Sequence, residues 1–197
     1  RPILPLRIRS FSNGWTNRRR QNNPTTKHIH SGDAPDFYSE RRIMDVVFVG
    51  DWLPRTTLAN SCIAESVMRI GNLECAIAAA SRASYKAHPL VLGPEAIDRV
   101  AAARFTALNL ANNHVYDAGG GCFADMLGEL RRRCGTQFYG LKDSPYAVLE
   151  EKDRRCAVIG CLERCRARGP AIFREEDVLE LIAGLRSRFD RVVVTPH

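Results

Sequence analysis

The sequence has no apolar run approaching the ~20 residues that a membrane helix needs, so this segment is not expected to span a bilayer. No apolar stretch follows the basic cluster Arg18–Arg20, so a secretory signal is not expected either. Cysteines number seven, an odd count in a chain too long to depend on a disulfide framework. They read as mostly buried thiols in a reducing compartment, which favours the cytoplasm. Cys156, Cys161 and Cys165 have neither a CxxC spacing nor a nearby fourth ligand, which argues against a zinc knuckle. There is no Ser-centred GxSxG elbow, so covalent serine hydrolysis has no support. No internal repeat is visible.

What remains is the composition of one soluble globular domain, with 45% hydrophobic and 26% charged residues. A chain of this size can bury about 70% of its unfolded surface. The net charge of +7 invites a nucleic-acid reading, but its distribution argues against one. Residues 1–42 hold nine of the 29 Lys/Arg and only three of the 22 Asp/Glu, which places nearly all the excess in that leader. The leader is rich in Asn, Pro, Ser and Thr and lacks apolar periodicity, so it reads as a disordered, basic arm. It suits a solvated tail best. A contact for a polyanion or an acidic membrane surface, or an extraneous upstream stretch, are the other readings. His28 and His30 in that polar segment read as solvated rather than as a metal pair. A start at Arg1 and an end at His197, just after a strand pattern, suggest a piece of a longer protein.

From Ile43 onward the pattern changes. Met44–Val49 (MDVVFV) is a β-branched run that stops at Gly50-Asp51, as a buried parallel strand would. Thr57–Glu65 suits a short helix. Val67–Ile70 is a second run, ending at Gly71-Asn72-Leu73-Glu74. Gly93-Pro94 opens a helix to about Ala103, and Phe105–Leu110 is a third strand. Phe123, Met126, Leu127 and Leu130 repeat at helical spacing, and Arg131–Arg133 complement the dipole of that helix's last turn. Tyr146–Leu149 and Cys156–Cys161 suit an antiparallel pair turned at Lys152-Asp153. Val178, Leu181, Ile182 and Leu185 form another helical stripe, and Arg191–Thr195 is a last strand. Strands alternating with helices predict a layered α/β domain over 43–197.

Four of these strands end in polar residues of related chemistry: Asp51; Asn72 and Glu74; Asn112, Asn113, His114 and Asp117; and His197. In α/β sheets, ligands bind beyond the carboxyl ends of strands, where loops converge on a rigid scaffold. Carboxylate, amide oxygen and imidazole together suit a divalent cation such as Mn, Fe, Zn or Mg. Such ions activate water and clamp phosphoryl groups. Each piece alone has a structural reading: a Gly-Asp turn, a structural histidine, an Asn-Asn loop cap. The triple glycine Gly119–Gly121 stands before a helix, where backbone N–H groups can approach a phosphate. It lacks the spacing of either nucleotide-binding fingerprint, and a flexible loop is the simpler reading.

VVFVGDWLP, IGNLECAIA and LNLANNHVYDAGGG, followed by a strand ending in PH, resemble the successive motifs of CapA-type poly-γ-glutamate capsule synthesis proteins. That family is similar to the calcineurin-like metallophosphoesterases. The resemblance covers about residues 43–197 and implies an αββα sandwich, incomplete at its C-terminus. It implies Asp51, Asn72, Glu74, Asn113 and His197 as metal ligands. His114 would be a general acid toward the leaving oxygen, oriented by Asp117. It further implies a hydrolase-like site acting on an anionic polymer or phosphoester, and a membrane-associated synthesis complex as partner. One departure stands out. Trp52-Leu53 follow Asp51 where phosphoesterases usually place a histidine, which points to fewer metals or weaker binding. It also keeps open a non-catalytic, polymer-binding or scaffolding subunit.

Overall fold

Backbone pairing begins with Arg7–Ser10 (β1), which runs parallel to Asp45–Trp52 (β2). The computed structural model describes residues 7–10, 44–56, 63–79, 87–162 and 173–197. Four residues of the leader, expected to be a loose arm, thus form an edge strand. The rest of 1–42, including His28 and His30, lies outside the described residues, as does Cys165. Of the short helix expected over Thr57–Glu65, positions 57–62 also lie outside them, and the described part from Ile63 is turn.

The first sheet continues through Met68–Leu73 (β3), which pairs parallel with β2, to Ala107–Asn109 (β6) and Gln137–Tyr139 (β7). Its order is β1-β2-β3-β6-β7, and every neighbour is parallel. The small pair Ala76–Ile77 (β4) and Val91–Leu92 (β5) stands apart from it. A second sheet joins Tyr146–Glu151 (β8), Arg154–Cys161 (β9) and Arg191–Pro196 (β10) in the order β10-β9-β8. The β8–β9 hairpin is antiparallel, as expected, and Lys152 takes a positive φ of 57° in its turn. Among the described residues the α-helices are Ala96–Ala103 (α1), Gly120–Arg133 (α2) and Val178–Leu185 (α3).

The period-2 alternation of each strand explains the layering. In β3 and β6, Leu73 and Leu108 face the helices, packing with Ile97 and Val100 of α1 and Phe123 and Met126 of α2. Ile70 and Ala107 point the other way and meet Ala147, Leu149 and Val158 of the second sheet. Ala157 and Ile159 of β9 turn outward onto Val178 and Leu185 of α3. The result is helix, sheet, sheet, helix: the αββα sandwich. Each fully buried aliphatic side chain in these layers contributes about 1.5–3 kcal/mol. At the sheet margins, Gln137 acts as a strand substitute: its Nε2 donates to the Val148 carbonyl at 2.7 Å and its Oε1 accepts from the Val148 N–H at 2.9 Å.

The arginines closing α2 are satisfied locally. Arg131 pairs with Asp143, Arg132 with Glu129 and Arg133 with Asp98. That matches a capped helix end rather than a binding patch. Gly120 and Gly121 form the first turn of α2, and all three glycines are exposed. Among the described residues, no helix is long and apolar enough to cross a membrane.

Candidate metal centre

Asp51, expected where the first strand stops, lies inside β2, one residue before its end. The strand bulges between Phe48 and Asp51, where Gly50 adopts a φ of 76° open to glycine at little cost. The bulge resets the register so that Asp51 pairs with Asn72 and Trp52 with Leu73. The Glu74 N–H then bonds to the Trp52 carbonyl at 3.1 Å, holding Glu74 beside the end of β2. From the second sheet, the His197 N–H donates to the Cys161 carbonyl at 3.0 Å, which continues the β9–β10 ladder by one residue. The two sheets therefore deliver their C-terminal ends to one place.

There Asp51, Glu74 and His197 each offer a ligand atom, all within 4.8 Å of one another. His197 Nε2 lies 3.0 Å from Glu74 Oε2 and 3.7 Å from Asp51 Oδ1. Glu74 is buried, whereas the Asp51 carboxylate is largely exposed. Asn72 stands between the carboxylates: its Nδ2 donates to Asp51 Oδ1 at 2.8 Å and to Glu74 Oε2 at 2.5 Å.

The orientation of Asn72 follows from its neighbour. Asn112 Oδ1 accepts the backbone N–H groups of His114 and Val115 at 3.0 and 2.9 Å, which fixes which end of its amide is oxygen. Its Nδ2 must then donate, and it does so to Asn72 Oδ1 at 3.0 Å and the Leu73 carbonyl at 2.8 Å. With its oxygen taken by Asn112, Asn72 turns its nitrogen toward the carboxylates. In this arrangement it bridges the acidic groups as a donor. Asn112 stands among the strand-end polar residues read from the sequence, but without a role of its own. The Asn112-Asn113 pair was visible, but nothing in it told which amide is buried.

The His114 ring meets Asp117, Nδ1 donating to Asp117 Oδ2 at 2.7 Å. The same oxygen accepts the Leu90 N–H at 2.8 Å, which ties the loop before β5 to the pair. His114 Nε2 faces Glu74 Oε1 at 3.8 Å. Asn113, the residue before His114, is half-buried.

Cys75 follows Glu74 directly and is fully buried. Burial first, and the Glu74 charge second, push its thiol from 9.0 up to about 12. A raised pKa means the folded protein disfavours thiolate, so Cys75 is no nucleophile here. The sign of the linkage follows: the unfolded thiol ionises near 9.0 and the folded one near 12, so stability falls as pH rises across that window. Iodoacetamide at neutral pH is expected to label half-buried Cys122 in the native protein and to leave Cys75 unmodified, as read by peptide mass mapping. Rapid native labelling of Cys75 would contradict this burial.

The sequence profile of the family described as "Bacterial capsule synthesis protein PGA_cap" matches residues 36–197. Comparison with curated proteins finds no match. Among solved structures, the chain resembles a protein assigned as a 5'-nucleotidase from Staphylococcus aureus, in complex with alpha-ketoglutarate. The identity is 14% and the TM-score 0.45, over 66% of this chain and 28% of that one. It also resembles the Haemophilus influenzae NAD nucleotidase, at 14% identity and a TM-score of 0.45, over 70% of this chain and 26% of that one. The chain thus spans little more than a quarter of either structure's length.

Proposed function

The chain belongs to the bacterial capsule synthesis protein family PGA_cap, and on that premise we propose that it carries a metal-dependent hydrolase site serving capsule or poly-γ-glutamate biosynthesis. The observation that carries this reading is the convergence of Asp51 and Glu74 from one sheet with His197 from the other, ligand atoms within 4.8 Å. Two carboxylates and an imidazole are a donor set that divalent Mn, Fe, Zn or Mg accepts. Two like charges brought this close also favour a cation between them. Asp51, Glu74 and His197 would hold the ion, with Asn113 as a further candidate ligand. A bound divalent cation supplies Lewis-acid polarisation of a phosphoryl or carbonyl oxygen and makes water more acidic.

The protein's own groups do the rest. Asp117 fixes the His114 ring and its tautomer through Nδ1, so that Nε2 is directed toward the site. From there His114 can deliver a proton to the leaving oxygen. Asn72 keeps Asp51 and Glu74 in register without adding charge. The substrate is a phosphoester or an amide-type bond in an anionic polymer.

Asp51→Ala and Asn113→Ala are the test. Each is expected to abolish Mn²⁺-dependent turnover of a generic phosphodiester while leaving the circular dichroism spectrum unchanged. Full activity in both variants would overturn the assignment. The absence of a histidine after Asp51 favours a second reading, a polymer-binding subunit without turnover. Binding of an anionic polymer by protein that shows no metal-dependent hydrolysis would select it.

A further inference from the structure

Asn109 is a polar residue in the apolar strand β6, 3% exposed, and paired in register with Asn72. It lies two residues beyond Ala107 and so points into the space between the sheets, at the end nearest the metal centre. One glycine stands across that space and another stands beside Asn109 at the end of the neighbouring strand of its own sheet. A Cβ on Gly160 of β9 would sit 2.2 Å from Asn109 Oδ1 and 2.8 Å from its Cγ. A Cβ on Gly140, just past β7, would also sit 2.2 Å from Asn109 Oδ1, and Gly140 has a φ of 84°. Asn109 Oδ1 accepts the Ala111 N–H at 2.9 Å, which locks the side chain and starts the turn leading to Asn112. Gly160 is two residues before Leu162, and its neighbour Cys161 holds the His197 backbone.

We propose that Asn109, seated against Gly140 and Gly160, is a positioning residue that sets the separation of the two sheets at their C-terminal ends. It thereby sets the reach of His197 to Asp51 and Glu74. The inference rests on the metal-centre reading above. The reason is geometric: His197 rides on the second sheet and its two acidic partners on the first. At this end the chain crosses the gap through residues 140–145, where the Gly160 N–H bonds to the Pro145 carbonyl at 3.1 Å, and Tyr139 Oη lies 3.3 Å from Thr195 Oγ1. The spacing between these ties is set by what is packed there. A methyl group at Gly160 must either displace Asn109 or part the sheets, because interiors are close-packed and transmit strain.

The test compares Gly160→Ala, Asn109→Ala and the double variant with the parent protein, by titration calorimetry with Mn²⁺ and by the imidazole ¹⁵N shifts of His197 in metal-free protein. Gly160→Ala is expected to weaken Mn²⁺ binding about tenfold, the scale of outer-shell changes at metal sites, and to move the His197 signals. Adding Asn109→Ala removes the oxygen that the methyl meets, and is expected to restore most of the affinity. Leu130→Ala, in the distant helical layer, should lower the melting temperature without changing either readout. If Gly160→Ala does not fold, Asn109→Ala alone decides, with weaker binding and shifted His197 signals expected. Unchanged affinity and unchanged His197 signals in the folded variants would overturn the proposal. A parent protein that binds no Mn²⁺ would instead overturn the metal reading, and the His197 spectra would still decide the positioning role.

Discussion

Glu74→Gln is expected to weaken Mn²⁺ binding by about 100-fold or more, since even outer-shell partners are worth about 10–100-fold at metal sites. Glu74 is the hub: Oε2 takes the Asn72 amide and lies 3.0 Å from His197, while Oε1 faces His114. Glutamine keeps the shape and removes the charge, so the metal-free fold should survive. The difference appears on adding metal. A ligand present at about 100 times its dissociation constant stabilises the folded state by about 2.7 kcal/mol. The parent protein should therefore melt higher with Mn²⁺, and Glu74→Gln should not. An equal metal-induced rise in both proteins would remove Glu74 from the site.

The second large effect is on stability. Asn112 is fully buried and makes four hydrogen bonds, two of them from backbone N–H groups. Asn112→Ala strands those donors, at about 1–3 kcal/mol each, so a loss of about 3 kcal/mol is expected in urea denaturation. Asn112→Asp retains an acceptor for the two N–H groups but sets an oxygen against Asn72 Oδ1 and the Leu73 carbonyl. It should be destabilising as well, which separates the donor role from the acceptor role. A loss of no more than about 0.5 kcal/mol for Asn112→Ala, the scale of an ordinary surface change, would contradict the network.

Much of this arrangement was readable before the structure. The runs ending at Asp51, Glu74, Asn112 and His197 announce themselves because apolar residues give way abruptly to polar ones. The first three share the C-terminal edge of one parallel sheet, whereas His197 arrives from the second sheet. Ala76–Ile77, Val91–Leu92 and Gln137–Tyr139 were missed because two or three residues carry no periodicity. They form strands because neighbours already in place complete their backbone bonds, as the Thr106 carbonyl does for the Gln137 N–H at 3.0 Å. The continuation of β2 through Asp51 was hidden by Gly50, which reads as a stop but acts as a bulge. The orientation of Asn72 was beyond sequence altogether. It depends on which end of the Asn112 amide two backbone donors select, a contact that exists only once β3 and β6 lie side by side.

Residues 36–197 place the chain in its family; the chemistry turns on whether Asp51, Glu74 and His197 hold a cation. Elemental analysis of the purified protein after Mn²⁺ loading and desalting addresses that directly. The account predicts a stoichiometric ion in the parent protein and its loss in both Asp51→Ala and His197→Ala, whose ligand atoms come from different sheets. A parent protein without stoichiometric metal, or variants that retain it, would contradict the account.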